Sequence, residues 1–388
     1  MLNFRHHIPT IVYFGKGQIS ALSDELKSRA KKILIVTGEG SIKKYRIFDD
    51  AIEQVNKAGI AYTELSGIKP NPRLESVYKG INICRKENLD FILALGGGSV
   101  IDAAKAIAMG VKYSGDVWDF FTKDISCQAA LPVGVVLTLA ATGSEMNGNT
   151  VITREDTQRK LAYSSGLLRP AFSILDPEYT FTVNKYHTAA GVVDIMAHVF
   201  EQYFSRTKAS GVQDRLAEAL LKVCIKYGPV ACKKPDNYDA RANIMWAGSL
   251  ALNDLIGEGK QQDWASHAIE HELSAEYDIS HGAGLAIIIP NWMKHVLTTK
   301  TSWRFVEYGV NVWGLKKNKD KFKTANKAIE KTREFFTSLG LPSKLSQLEI
   351  SGERFKGMAK NAIVSWGRVG SFKQLTEKDI VRILKASL

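Results

Sequence analysis

Short apolar runs alternate with amphipathic patterns of helical length through residues 1–182 of the chain. The runs predict strands at residues 33–37 and 91–95, and two more in the segments PVGVVLTLAATGSE and SILDPEYT. Uninterrupted apolar strands separated by helices are typical of a parallel sheet covered on both faces. The pattern therefore predicts an α/β N-terminal domain over residues 1–182.

The pattern changes after residue 182, where strand-like runs disappear and long helical patterns follow. These patterns cover residues 188–205, 210–228, 238–255, 260–276, 282–298 and 321–339. Their lengths suit a helix bundle, so we expect an all-α second domain over residues 183–388. Because no low-complexity linker separates the two parts, we expect them to pack together with a ligand site in the cleft between them.

Composition excludes several classes of protein. The 388 residues are 45% hydrophobic and 24% charged, which is ordinary for a globular chain. No apolar run approaches about 18 residues and the N-terminus lacks a signal-peptide core, so we expect a cytoplasmic protein without a membrane partner. The net charge of +12 is spread thinly, and its densest run, residues 316–323, lacks aromatics at stacking spacing. A solvated helix face explains that run better than a nucleic-acid site.

A glycine-rich turn follows the predicted strand at residues 91–95. Gly96, Gly97, Gly98 and Ser99 open a helix, where backbone N–H groups and the helix N-terminus suit a diphosphate. The turn matches neither G-x-G-x-x-G nor a P-loop, and a purely structural turn is the alternative. A second polar loop, residues 138–145, offers hydroxyls to a ribose or nicotinamide amide, or simply caps a helix.

One helical segment, residues 188–204, is apolar on nearly every side, which predicts that it is buried. Asp194 and His198 nevertheless lie inside it, four residues apart and so on one face. A buried carboxylate costs several kcal/mol unless it is paired or bound to a metal. An internal Asp–His hydrogen bond and a metal site both account for this pair.

Three of the eight histidines, His267, His271 and His281, lie within residues 263–284. In one straight helix His267 and His281 would be about 21 Å apart, so a shared ion requires the chain to fold back. Residues 278–281 predict that break, because Ser280 is a plausible N-cap and glycines follow His281.

The combined set contains one carboxylate and three imidazoles. Nitrogen and oxygen ligands suit Fe²⁺, Zn²⁺, Mn²⁺ or Ni²⁺. His271, one turn from His267, is either a fifth ligand or a proton-handling or substrate-facing residue. The predicted metal ligands are Asp194, His198, His267 and His281.

Several long motifs occur in an order that resembles the iron-containing (group III) alcohol dehydrogenase family over essentially the whole chain. The motifs are GGGSVIDAAK, TLAATGSEMN, DPEYTF, TAAGVVDIMAHVFEQYF and DWASHAIEHELSAEYDISHGAGLAI. The last is similar to the butanol dehydrogenase and broad-specificity aldehyde reductase branch. The resemblance implies a dehydroquinate synthase-like fold, with a Rossmann-like parallel-sheet N-terminal domain and a helical C-terminal domain. It also implies a homodimer that acts on short-chain primary alcohols and aldehydes such as butanol and butanal.

The resemblance places the metal on the four residues named above, and His271 at the nicotinamide end of the site. It places the dinucleotide diphosphate on Gly97, Gly98 and Ser99, with Asp102 nearby. Residues implied around the ribose and nicotinamide are Thr138, Thr142, Asn147, Lys160 and Tyr179. A bound Fe²⁺ or Zn²⁺ would polarise the substrate oxygen while hydride passes to or from the nicotinamide.

The first strand–helix turn bears on the choice of coenzyme. Gly38, Glu39, Gly40 and Ser41 are similar to the Gly-Gly-Gly-Ser turn of NADPH-using aldehyde reductases, where serine and backbone groups hold the 2′-phosphate. Glu39 departs from that pattern, because a carboxylate accepts the ribose 2′-OH and repels a 2′-phosphate. The lysines that follow it could still bind phosphate. On balance the turn favours NADP, and NAD is the alternative. We expect Gly38 and Ser41 to contact the coenzyme.

Other classes of function remain as alternatives. One is a glycerol dehydrogenase-like or dehydroquinate synthase-like enzyme of the same fold. Asp194 and the apolar helix disfavour the synthase, whose metal set starts with a glutamate and whose site is rich in lysine and arginine. A dinucleotide-binding or metal-storage module would account for the loops but not for an ion in the same cleft.

Overall fold

The structure, a computed structural model, describes residues 1–388 except for the side chain of Ser41. The chain divides into two compact units. The sheet unit comprises His7–Val183 and Pro235–Ser249. The helical unit comprises Met1–His6, Asn184–Lys234 and Leu250–Leu388.

A six-stranded parallel sheet forms the centre of the sheet unit, in the order β1-β8-β5-β4-β2-β3. Strands β6 and β7 form a separate antiparallel hairpin. The strands are β1 (Ile11–Phe14), β2 (Lys32–Gly38), β3 (Ala61–Ile68), β4 (Phe91–Gly96), β5 (Val133–Leu137), β6 (Asn149–Arg154), β7 (Arg159–Ser164) and β8 (Phe172–Leu175). The four strands predicted from apolar runs are confirmed as β2, β4, β5 and β8.

Helices cover both faces of the sheet. Ile33 and Ile35 of β2 face one buried cluster, and Leu34 and Val36 face another, because successive strand residues point to opposite sides. The helices in this part of the chain are α1 (Leu22–Arg29), α2 (Ser41–Lys44), α3 (Ile47–Ala58), α4 (Leu74–Glu87), α5 (Gly98–Lys112) and α6 (Asp119–Thr122). The α/β prediction is therefore confirmed.

From residue 185 onward every regular element is a helix, apart from one short 3₁₀ turn at Leu345–Leu348. The helices are α7 (Lys185–Tyr203), α8 (Gly211–Lys233), α9 (Tyr238–Ala251), α10 (Ala265–Tyr277), α11 (His281–Val296), α12 (Ser302–Asn311), α13 (Lys321–Ser338), α14 (Phe355–Trp366) and α15 (Glu377–Ala386). The all-α prediction for this region is confirmed. Among the described residues, no helix is both long enough and apolar enough to cross a membrane.

The segment Pro235–Ser249 belongs to the sheet unit although it follows residue 182. Met245 is fully buried in the core beneath the sheet, and Trp246 packs edge-on against Phe14 of β1 with ring centroids 5.6 Å apart. The Ser249 hydroxyl donates to the buried carboxylate of Glu145. These long-range contacts leave no local signature in the sequence, and the domain boundary after residue 182 remains a prediction.

Candidate active site

Helix α7 carries Asp194 and His198 in the interior of the helical unit. Every residue from Thr188 to Tyr203 is buried, as the all-round apolar pattern predicts. His198 Nε2 lies 3.7 Å from Asp194 Oδ1, so the two side chains share one face of the helix. The carboxylate is thus held in a buried, imidazole-lined environment.

The predicted fold-back is present between α10 and α11. Asp278 has a left-handed backbone (φ 50°) and ends α10, and Ser280 occupies the N-cap of α11 without a capping hydrogen bond from its side chain. Backbone N–H groups of Ala283 and Gly284 donate to the Ser280 carbonyl instead. The reversal returns His281 to within 5.3 Å of His267, measured between ring centroids.

The four predicted metal ligands come together. His281 Nε2 lies 3.6 Å from Asp194 Oδ1, and the His198 and His267 ring centroids are 4.9 Å apart. Ligand atoms of Asp194, His267 and His281 all lie within 4.8 Å of one another. Ligand atoms about 2.0–2.2 Å from a common ion are separated by somewhat over 3 Å, so these spacings suit one shared cation.

Two ring nitrogens are engaged by carboxylates. His267 Nδ1 lies 2.8 Å from Glu201 Oε1, and His281 Nδ1 contacts a carboxylate oxygen of Glu270. Each contact leaves the Nε2 atom as the metal-facing nitrogen. His267 Nε2 is buried and has no hydrogen-bond partner among the described side chains and backbone groups. The donor set and this buried nitrogen fit a divalent cation such as Fe²⁺ or Zn²⁺.

His271 lies beside this cluster and is also buried, at 4% exposure. Its ring centroid is 5.5 Å from that of His281 and 5.8 Å from that of Trp366. Trp264, with a left-handed backbone (φ 64°), packs 5.1 Å from the His267 ring. Two half-buried tryptophans therefore flank the histidines. The role of His271 stays a prediction.

The predicted phosphate loop lies at the carboxyl edge of the sheet, where β4 meets α5. Gly98 is the first residue of this helix, and Ser99 is half-buried beside it. Neighbouring strands β2 and β4 connect to β3 and β5 on opposite sides, so their carboxyl ends form a topological switch point. Dinucleotides bind at such crevices in open parallel sheets, with the diphosphate at a helix N-terminus.

Close packing explains the glycines of this loop. A Cβ atom on Gly98 would overlap the side chain of Thr142, and one on Gly97 would lie 3.1 Å from Leu139 Cβ. The amide of Thr138 donates to the Gly96 carbonyl at 3.1 Å. The loop after β4 and the loop after β5 thus touch, as expected if both contact one nucleotide.

Asp102 and Asn147 lie behind these loops. Asp102 accepts hydrogen bonds from the Ser144 hydroxyl (2.7 Å) and the Val151 amide (3.0 Å), and burial raises its pKa to about 6. Asn147 accepts from the Asn149 amide at 2.9 Å through its side-chain oxygen. In this structure both side chains support the loop from within the protein.

Lys105 connects the same loops from inside α5. Its fully buried Nζ donates to oxygens of Ser144, Asn147 and Asn149 at 2.7–2.9 Å, and burial lowers its pKa to about 7. One side chain therefore ties the phosphate-loop helix to the loop that follows β5.

The remaining predicted nucleotide contacts are dispersed within the sheet unit. Lys160 is buried on β7, and the Tyr179 hydroxyl donates to Asp50 of α3 at 3.3 Å. Burial, followed by the nearby Asp50 charge, raises the pKa of Tyr179. Gly38 is half-buried at the end of β2, and the predicted contact through the Ser41 side chain lies outside the described residues.

Sequence reasoning missed the carboxylates behind the histidines. Glu201 and Glu270 each occupy a buried helix position three residues after a predicted ligand, His198 and His267 respectively. For Glu201 the available signal was a glutamate inside the otherwise apolar helix α7, whereas α10 has many polar residues and gave no such signal for Glu270. The contacts of Trp366 and Lys105 depend on packing and could not be read from spacing.

The profile of the iron-containing alcohol dehydrogenase family matches residues 9–177, and that of the C-terminal part of the Fe-containing alcohol dehydrogenase family matches residues 188–388. Together they span nearly the whole chain. The chain belongs to the iron-containing alcohol dehydrogenase family and is an oxidoreductase. Membership implies a nicotinamide coenzyme and a bound metal, and it disfavours the glycerol dehydrogenase-like, synthase-like and non-enzymatic alternatives.

Similarity extends over full-length relatives. The chain is 50% identical to NADH-dependent butanol dehydrogenase A of Clostridium acetobutylicum, with 100% of both chains covered. It is 39% identical to NADPH-dependent aldehyde reductase YqhD of Escherichia coli, covering 93% of this chain and 92% of the other. A crystal structure of NADH-dependent butanol dehydrogenase A from Thermotoga maritima has a TM-score of 0.96 at 38% identity, covering 100% and 99%. The predicted branch is confirmed.

Proposed function

We propose that this chain is a divalent-metal-dependent, NADH-linked enzyme that interconverts short-chain primary alcohols and aldehydes such as butanol and butanal. The observation that carries the proposal is the convergence of four ligand side chains from α7 and the α10–α11 fold-back. Those ligands are Asp194, His198, His267 and His281. Full-length similarity to enzymes named butanol dehydrogenase supports the substrate class.

Three neutral imidazoles and one carboxylate leave net positive charge on a bound Fe²⁺ or Zn²⁺. When bound, the metal supplies a Lewis acid for the substrate oxygen, and the nicotinamide coenzyme donates or accepts the hydride. Asp194 lies within 3.7 Å of two imidazole nitrogens, so it draws the ligands together. His271, buried next to His281 and Trp366, moves the alcohol proton at its ring nitrogens.

The carboxyl edge of the sheet holds the coenzyme in this proposal. Backbone N–H groups of Gly97, Gly98 and Ser99 bind the diphosphate at the positive end of α5. Thr138 and Thr142 bind the ribose and the nicotinamide amide. Three further side chains complete the predicted set by lining or supporting this region: Asn147, Lys160 and Tyr179.

Charges near the first strand–helix turn favour NADH over NADPH, which reverses the leaning drawn from the sequence. Lys43 Nζ lies 2.8 Å from Glu64 Oε1, and the Thr37 hydroxyl donates to the same carboxylate at 3.1 Å. Glu39 is exposed on the turn. Two carboxylates and an engaged lysine disfavour a 2′-phosphate. Four relatives at 46–50% identity carry the words NADH-dependent in their names.

A cytoplasmic homodimer is part of the proposal. Strand β1 is an edge of the parallel sheet and exposes Ile11 and Phe14. An unpaired apolar edge suits pairing with a second copy of the chain. Cys84, Cys127 and Cys224 are buried free thiols, which suits a reducing compartment.

The test is a steady-state comparison of NADH and NADPH oxidation with butanal and a panel of other short-chain aldehydes, after reconstitution with Fe²⁺ or Zn²⁺. We expect about one metal per chain by elemental analysis and turnover of butanal with NADH preferred. Absence of metal binding, or no turnover with any short aldehyde, would reject the function. Preference for NADPH would reject only the coenzyme assignment.

A further inference from the structure

Two fully buried glutamates stand directly behind the metal-facing histidines. Glu201 of α7 and Glu270 of α10 are both 0% exposed. Among the described side chains, Glu201 has no lysine or arginine within ion-pairing distance. A buried carboxylate is costly unless its oxygens receive hydrogen bonds, so the partners that each glutamate has are informative.

Glu201 joins α7 to the first turn of α10. Its Oε1 atom accepts from the Ser266 hydroxyl, from the His267 backbone N–H at 3.0 Å, and contacts His267 Nδ1 at 2.8 Å. These groups fix both the backbone and the ring of one ligand residue. Helix α7 therefore carries two ligands, Asp194 and His198, and orients a third.

Glu270 repeats the arrangement one step further along the chain. Glu270 lies three residues after His267 on α10. Its carboxylate accepts a hydrogen bond from the Ser274 hydroxyl and contacts Nδ1 of His281 at the start of α11. Helix α10 therefore carries one ligand and orients the next.

Gly284 makes room for this contact. A Cβ atom at position 284 would lie 2.7 Å from Glu270 Oε1 and 2.8 Å from its Cγ. Any larger residue would push the glutamate away from His281. Glycine at position 284, three residues after His281, is therefore explained by the space that the Glu270 carboxylate needs.

We infer that Glu201 and Glu270 are positioning residues, which hold His267 and His281 in the tautomer and orientation that present Nε2 to the metal. The inference rests on the proposed function, because it takes the four-residue set as the ligands. A carboxylate on Nδ1 fixes the N–H there, leaves the lone pair on Nε2 and raises the basicity of that nitrogen. Each glutamate acts only through its histidine.

Metal affinity tests the inference directly. Apo-protein is titrated with Co²⁺, following its visible absorption, and dissociation constants for Zn²⁺ are measured against a competing chelator. We expect Glu201→Gln and Glu270→Gln to weaken metal binding by about 10- to 100-fold, and Glu201→Ala to weaken it further. The changed ligand orientation should also alter the Co²⁺ spectrum. Saturated variants should still hold one metal per chain.

Glu276→Gln is the matched control. Glu276 lies on the same helix, α10, and its half-buried carboxylate pairs with the exposed Arg354 at 3.0 Å. It should bind metal as the parent chain does. Gly284→Ala keeps every donor atom but displaces Glu270, so it should weaken metal binding in the same direction. Circular dichroism verifies that each variant is folded.

The outcomes separate the two levels of the proposal. A parent chain that binds no metal would refute the proposed function itself. A parent chain that binds metal, with folded Glu201 and Glu270 variants as tight as Glu276→Gln, would overturn the positioning role alone. Ligand atoms of Glu270, His271 and His281 also lie within 4.8 Å of one another. Two metals per parent chain, with one lost in Glu270→Gln, would make Glu270 a ligand and overturn its positioning role.

Discussion

Gly282 packs directly against Ala190: a Cβ atom on the glycine would overlap the alanine carbonyl group. Helices α11 and α7 therefore approach backbone to backbone beside His281. This contact brings His281 Nε2 to 3.6 Å from Asp194 Oδ1. Glycine at this position sets the spacing between the two halves of the ligand cluster.

Gly282→Ala should separate α7 from α11. Overpacking of this kind costs about 1–3 kcal/mol, and the shift of His281 should also weaken metal binding. Urea unfolding and Co²⁺ titration measure the two effects. Gly357→Ala is the control, because a Cβ at this exposed position of α14 meets nothing within 4 Å. That change should stabilise the chain by up to about 1 kcal/mol. Equal behaviour of the two variants would contradict the close contact.

His267→Ala and His271→Ala should separate ligand from non-ligand. His267 Nε2 faces the cluster with Nδ1 engaged by Glu201, so its removal should abolish metal retention. His271→Ala should retain metal and slow turnover by about 10²- to 10⁴-fold, the contribution typical of a proton-transfer group. Metal analysis and kcat on the same preparations check this. Equal metal loss in both variants would show that His271 is a ligand.

Lys105→Met should loosen the nucleotide loops. The change keeps side-chain length but removes the N–H donors to Ser144, Asn147 and Asn149, and each buried oxygen left without a donor costs about 1–3 kcal/mol. NADH affinity, followed by fluorescence, should fall while metal per folded chain is unchanged. Lys112→Met, at the exposed end of α5, should alter neither quantity. If folded Lys105→Met binds NADH as tightly as the parent chain, Lys105 does not hold the nucleotide-binding loops in place.

Glu64→Gln should shift coenzyme preference toward NADPH. Loss of the carboxylate releases Lys43 and removes repulsion of the 2′-phosphate. We expect the ratio of kcat/KM for NADPH to that for NADH to rise about tenfold, equivalent to about 1.4 kcal/mol. Glu53→Gln, an exposed acid on α3, is the control. An unchanged ratio would place coenzyme choice elsewhere on the turn.

Acid should destabilise the chain partly through His295. Burial, followed by the Lys373 charge 3.1 Å away, lowers the pKa of this histidine below its usual 6.5. Between the lowered folded pKa and 6.5 the unfolded chain binds more protons, so stability falls as pH drops through this window. His295→Gln should lose less stability than the parent between pH 7.5 and 5.5 in urea unfolding. Equal losses of stability in His295→Gln and the parent chain would show that other groups cause the acid destabilisation.

The local sequence pattern was sufficient to predict the strands that are buried on both faces. Strands β2, β4, β5 and β8 are buried on both faces and appear as apolar runs. Strands β1 and β3 were missed because edge positions leave them largely exposed, with burial too irregular to form an apolar run. The long helices were predicted within a few residues, whereas the shorter α12, α14 and α15 were not.

The sequence by itself determined the donor chemistry of the site: Asp194 and His198 on one helix face, and a chain break that returns His281 toward His267. Four-residue spacing and N-cap signals are local, so they can be read without coordinates. Only the tertiary structure decided which ring nitrogen each carboxylate engages, how closely Gly282 approaches Ala190, and which side chains Lys105 joins. Those features depend on the packing of elements distant in sequence, which no local pattern encodes.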